Sequence, residues 1–169
     1  MMEEKQAVVG LIMGSDSDWS TMQRCVAVLK MFDIPFEAHI MSAHRTPARA
    51  ADYAAEAEKR GLQVLICAAG LAAHLAGVIA GHTILPVIGV PMKGGALDGL
   101  DALLATVQMP GGIPVATVAL GNAGATNAGM LAAQILAISN FELRQRLHNY
   151  KVSMAEKVAE ADMRLQEML

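Results

Sequence analysis

At 169 residues the chain has room for one domain with a sizeable core, and a second independent domain would be cramped. Apolar residues make up 54% and aromatic residues only 4%, a balance that excludes an aromatic-cored β-sandwich and favours helices packed closely on a sheet. The formal net charge is -3 and the basic residues are scattered, which excludes a surface built to neutralise nucleic-acid phosphates.

The first predicted strand is "AVVGLIMG" (7–14), a β-rich apolar run that ends at Gly14. "SDSD" then supplies helix-capping residues, and Trp19, Met22, Val26 and Leu29 fall on one face of the helix that follows. "FEAHIM" alternates through Phe36, Ala38 and Ile40 as a second strand, and Pro47 opens a helix running to the stop at Gly61. "SAHR" is therefore a connecting loop. "QVLICAA" reads as the third strand, followed by Gly70 and a short helix through His74, and "LPVIGV" as a fourth whose near-continuous apolar character implies cover on both faces. The loop "PMKGGALDG" leads to a helix carrying Leu100, Leu103, Leu104 and Val107, after which "IPVATVAL" is a fifth strand and "GATNAGMLAAQILA" a further helix. From Asn140 onward Leu143, Leu147, Tyr150, Met154, Val158, Ala161, Leu165 and Met168 recur at spacings of three and four. That long amphipathic helix either completes its own core or lies across a neighbouring subunit. A single domain is expected, with a core over about 7–138 and a helical extension over about 140–169.

Repeated strand–helix units with short connections imply a parallel sheet with helices on both faces, so that all strand carboxyl ends share one edge. Ligands bind at that edge in open α/β sheets, where strand order reverses. "GSDSD", "SAHR" and "AAGLAAH" are thus expected to meet in one crevice. The longest apolar stretch is broken by Gly70, His74 and Gly77, so it reads as strand, loop and helix and not as a membrane span. Cys25 and Cys67 lie in apolar patterns without paired spacing, and "MMEEKQ" lacks a signal-peptide profile; a reducing cytoplasm fits both facts.

"GSDSDW" sets Gly14 where backbone approaches a ligand closely, and Ser15 and Ser17 at a helix start that favours an anion such as phosphate. The competing reading is plain capping, with Ser17 or Asp18 bonded to first-turn amides. There is no G-x-G-x-x-G and no Walker lysine, so neither a dinucleotide nor a nucleoside triphosphate has motif support. His44 stands beside Arg45 in the second loop: imidazole exchanges a proton near neutral pH, whereas guanidinium stays charged and fits an oxyanion. That pair suits a general acid–base next to an anion anchor. His74 either orients a substrate group or sits satisfied at a helix start, while His39, His82 and His148 read as structural or exposed. No histidine, cysteine or carboxylate spacing matches a metal site, and neither cysteine has an activating histidine beside it.

"MGSDSDW", "SAHRTP", "AAHL", "QMPGGIPVATVALGNAGATNA" and "LAAQILA" together resemble the N5-carboxyaminoimidazole ribonucleotide mutase family of bacterial purine biosynthesis, over about Val8 to Ala137. The resemblance implies a flavodoxin-like three-layer α/β/α domain assembled as a homo-octamer, with active sites shared between subunits and no metal, nucleotide or biotin cofactor. It implies a reaction that moves a carboxylate from the exocyclic nitrogen of an aminoimidazole ribonucleotide to ring C4, on a substrate supplied by a separate ATP-dependent synthetase. Position by position it makes His44 the general acid–base, gives Ser15 and Arg45 the phosphoribosyl anion and Asp18 the ribose hydroxyls, and lines the pocket with Ser42, Gly70 and His74. Trp19 and Arg45 resemble the mutase class; the related carboxylase class, which takes free carbon dioxide, usually has lysine after the histidine. A non-catalytic module binding a phosphorylated metabolite on the same sheet edge is the other alternative. Leu71 stands where the family commonly has a second glycine and Ala76 where it commonly has proline, so the loop around His74 is expected to be shaped differently or less rigid.

Overall fold

The structure is a computed structural model that describes residues 6–169; most of the "MMEEKQ" terminus, residues 1–5, lies outside the described residues. Five strands form a wholly parallel sheet: β1 (Val9–Met13), β2 (Phe36–Ile40), β3 (Val64–Ala69), β4 (Val87–Pro91) and β5 (Ala116–Thr117). Between them run α1 (Trp19–Met31), α2 (Pro47–Ala57), α3 (Leu75–Ala80), α4 (Leu100–Val107) and α5 (Gly121–Leu136), with α6 (Phe141–Gln166) last. The strand order β2-β1-β3-β4-β5, with helices on both sides, is the flavodoxin-like arrangement. The chain divides into two compact units, one reaching Ala132 and the other Ala133–Leu169.

Strand order reverses between β1 and β3. From β1 the chain steps outward to β2, then crosses back to place β3 on the opposite side of β1. The two central strands are buried on both faces, in keeping with their continuous Val, Leu and Ile runs. Ile12, Leu65 and Cys67 pack with Ala50, Tyr53, Ala54 and Ala57 of α2 and with Leu75, Ala76 and Ile79 of α3. On α5, Gly129 brings α1 close: a Cβ there would stand 2.9 Å from Cβ of Val28 and 3.0 Å from the Cys25 carbonyl oxygen. Gly61, at φ +86, ends the turn after α2, and the Leu62 amide bonds back to the Ala57 carbonyl at 3.1 Å.

Two elements differ from expectation, and for a third the sequence leaves the outcome open. The fifth strand shrinks from "IPVATVAL" to Ala116–Thr117, because it is the sheet edge and Pro114 brings no amide to a ladder. Trp19 is 39% exposed while Met22, Val26 and Leu29 are buried, since it is the first residue of α1, a turn ahead of the covered stretch. On α6 only Leu143 is buried, and Met154, Val158 and Leu165 are exposed, as is Met168 just past its end. The distal half of that apolar face is exposed.

Candidate active site

The crevice forms where β1 and β3 end side by side. Three amides carry the ladder one residue further: Gly14 to the Ala68 carbonyl at 3.0 Å, Met41 to Met13 at 2.9 Å and Met92 to Ala69 at 2.9 Å. The loops after β1, β2, β3 and β4 thus leave the sheet at one level and surround a cavity of about 620 Å³. All seven residues singled out in the sequence line it: Ser15, Asp18, Ser42, His44, Arg45, Gly70 and His74.

After β1 the chain closes a capping box. The Ser15 hydroxyl accepts from the Ser17 amide at 3.3 Å and from the Ser17 hydroxyl at 2.9 Å, while the Ser15 amide donates to Oδ2 of Asp18 at 3.3 Å. Capping is therefore real here, but Ser15 caps a short 3-10 turn (Asp16–Asp18) ahead of α1, and Asp18, at the N-cap position of α1 itself, makes no side-chain capping bond there. Burial pushes the Asp18 carboxyl above its ordinary range; the Ser15 amide opposes this and the neighbouring Asp16 charge adds to it. A buried carboxylate on the cavity wall is a strong acceptor for hydroxyl donors and a poor neighbour for an anion.

The loop after β2 is held by its own side chains. Oγ of Ser42 accepts from the amides of His44 at 3.3 Å and Arg45 at 3.1 Å. Thr46 closes the other side, its hydroxyl accepting from the Ser42 amide at 2.9 Å and donating to the Ser42 carbonyl at 3.1 Å. Ser42 thus lines the cavity and also aims the two residues that follow it. From this loop Nη2 of Arg45 donates to the Gly14 carbonyl at 3.2 Å, tying the second loop to the first. Nε2 of His44 lies 2.8 Å from Nδ1 of His74, with the rings edge to face at 82°. One nitrogen of that contact donates and the other accepts, so the two rings share a single proton there. That contact takes up Nε2 of His44, so a ligand would have to be met through Nδ1.

His74 does occupy the start of α3, yet its imidazole makes no capping bond; it turns to His44 instead. Ahead of it Leu71 adopts φ +55, a left-handed conformation in which a glycine would be at ease. Lys93, Gly94 and Gly95 from the loop after β4 complete the wall, with Nζ of Lys93 3.8 Å from Oδ2 of Asp98. Sequence reasoning passed over Thr46 and Lys93. Lys93 was within reach, because β4 borders β3 and its loop must leave the same edge.

Among the described residues no cluster of three or more histidine, cysteine or carboxylate side chains is arranged to hold a metal ion. Cys25 and Cys67 are buried, and burial raises both thiols, Cys25 to about 12. Such thiols are not nucleophiles at neutral pH. The site's titratable chemistry rests on the histidine pair and Asp18, and its fixed charge on Arg45 and Lys93.

Residues 8–157 match the family described as AIR carboxylase. An N5-carboxyaminoimidazole ribonucleotide mutase from Pyrococcus horikoshii is 53% identical over 99% of this chain and 93% of its own length. One from Bacillus subtilis is 49% identical over 95% of this chain and 99% of its own. A crystal structure of Treponema denticola PurE superposes with a TM-score of 0.84 at 30% identity, covering 93% of this chain and 97% of that one.

Proposed function

The chain belongs to the AIR carboxylase family, and from that premise we propose how its cavity performs the isomerisation. The activity is that of an N5-carboxyaminoimidazole ribonucleotide mutase, an isomerase of purine biosynthesis. In the first step the carbamate N–C bond breaks, carbon dioxide leaves and the exocyclic nitrogen takes a proton. In the second, ring C4 attacks carbon dioxide and gives up its own proton. The two proton transfers cancel, so one acid–base group serves both, and His44 is that group. His74, bonded to Nε2, fixes the ring so that Nδ1 faces the substrate.

Ser15 and Arg45 hold the phosphoribosyl anion, and Asp18 accepts from the ribose hydroxyls, where its negative charge meets donors. Ser42, Gly70 and His74 line the ring's end of the cavity. Held in this way, carbon dioxide and C4 react as though within one molecule. The observation that carries the proposal is the meeting of His44, Arg45 and the Ser15 turn around one cavity, with Arg45 already bonded to Gly14.

The proposal extends to a cytoplasmic homo-octamer fed by the ATP-dependent synthetase that makes its substrate. The exposed apolar face of α6 supports assembly, and light scattering tests it. The reaction itself is tested by supplying the carbamate and the unmodified aminoimidazole ribonucleotide in separate assays. Conversion of the carbamate to the C4 carboxylate at low bicarbonate, abolished by His44→Asn, is the expected result. Turnover of the aminoimidazole with none of the carbamate would assign a carboxylase instead.

A further inference from the structure

We propose that Leu71 seals the cavity against loss of carbon dioxide, by reaching from the loop after β3 to the loop after β4; the inference rests on the isomerisation proposed above. Three observations carry it. First, Leu71 holds φ +55, which disfavours a side chain, so the local backbone gains nothing from having leucine there. Second, the side chain is 57% exposed, so core packing does not account for it either. Third, Cδ2 of Leu71 lies so close over Gly95 that a Cβ on residue 95 would collide with it. The leucine, on the cavity wall, reaches from the loop after β3 to the neighbouring loop after β4 and rests on it at a point that only a glycine leaves open.

The cavity lining is mixed. Ser15, Asp18 and Arg45, tied together through the Gly14 carbonyl, offer polar groups suited to a phosphorylated sugar, whereas Leu71, Ala72, Leu75 and Met92 add apolar surface among the remaining polar groups. Carbon dioxide carries no charge and needs no hydrogen-bond donor, so an apolar closure excludes water without competing for it. In this reading Leu71 is a positioning residue that acts on where the intermediate goes, and it touches neither proton transfer nor the phosphate.

The test compares wild type, Leu71→Ala and Leu71→Gly, each given unlabelled carbamate in 13C-bicarbonate with carbonic anhydrase, and reads label in the C4 carboxylate by mass spectrometry. An enzyme-free control is subtracted. Carbon dioxide that escapes is replaced by labelled molecules before recapture, so both variants should carry severalfold more label than wild type at equal conversion. Leu71→Gly should also melt a few degrees higher, because the backbone strain is relieved, whereas Leu71→Ala keeps the strained Cβ and should not. Equal labelling in all three proteins would overturn the sealing role, as would a change in particle mass without a change in labelling, which would put the leucine against another copy of the chain. A wild type that makes no C4 carboxylate from the carbamate would overturn the isomerase reading instead.

Discussion

The loops after β2 and β3 face each other across the cavity, yet they are built on opposite plans. "SAHRTP" closes on itself: Ser42 and Thr46 between them make four hydrogen bonds through their side chains within six residues, and no residue in the loop has positive φ. "GLAAH" has no comparable internal support, contains Leu71 at φ +55, and is held by what it meets elsewhere, His74 against His44 and Leu71 against Gly95. The first loop carries its conformation in its own side chains. The second borrows it from partners remote in sequence, so substitutions there should change chemistry more than local folding.

Substitutions on the two sides break or sharpen this contrast. The largest effect is expected from His44→Asn, which keeps shape and hydrogen bonding but cannot carry the proton: kcat should fall by ~10²–10⁴ while calorimetry shows the ribonucleotide still bound. Unchanged turnover would remove His44 from the mechanism. Arg45→Ala should lower affinity by ~1.5–3 kcal/mol, the range for a hydrogen bond to a charged group, with kcat less affected. Equal affinity by titration would discredit the anchor. Ser42→Ala leaves two amides without their acceptor and should cost roughly 1–2 kcal/mol of stability in a denaturant melt. Both kcat and stability should fall together, whereas His74→Asn should lower kcat with little change in the melt; matching stability losses for these two variants would erase the distinction between the loops.

The smallest effect concerns Asp18. Its folded-state pKa is raised above the ordinary 3.8, so folding favours the protonated carboxyl. The resulting stabilisation is present below the unfolded value and is lost as pH rises through the folded one, leaving an ionised, partly buried group at neutral pH. Asp18→Asn should therefore melt slightly above wild type at pH 7, with the advantage vanishing below about pH 3.8. A difference that stays constant with pH would show that the carboxylate's burial has no energetic consequence.

Much of this was legible in the chain. Alternating strands and helices with short connections lead to a parallel sheet, and a parallel sheet sends the loops at Gly14, Ser42 and Gly70 to one edge. His44 and Arg45 stood out because their chemistry is unusual in a tight loop. The bond between His44 and His74 was not visible, because thirty positions separate them and only the crossover through β3 brings them together. Ser15 also escaped as the cap, since four consecutive capping residue types leave the choice to backbone geometry. For α6 the periodicity gave the helix and its apolar stripe, but periodicity has no term for what lies opposite, and Met154 to Met168 remain uncovered.

The bond from Arg45 to the carbonyl of Gly14 has one more consequence. It restrains a long side chain, so an anion bound by this guanidinium would cost less rotational freedom than one bound by an untethered arginine. One of its five N–H groups is committed to the backbone, and the others keep a fixed outlook. If Arg45 holds the anion as proposed above, that anion would meet a guanidinium already aimed, and its affinity would lose less to side-chain ordering.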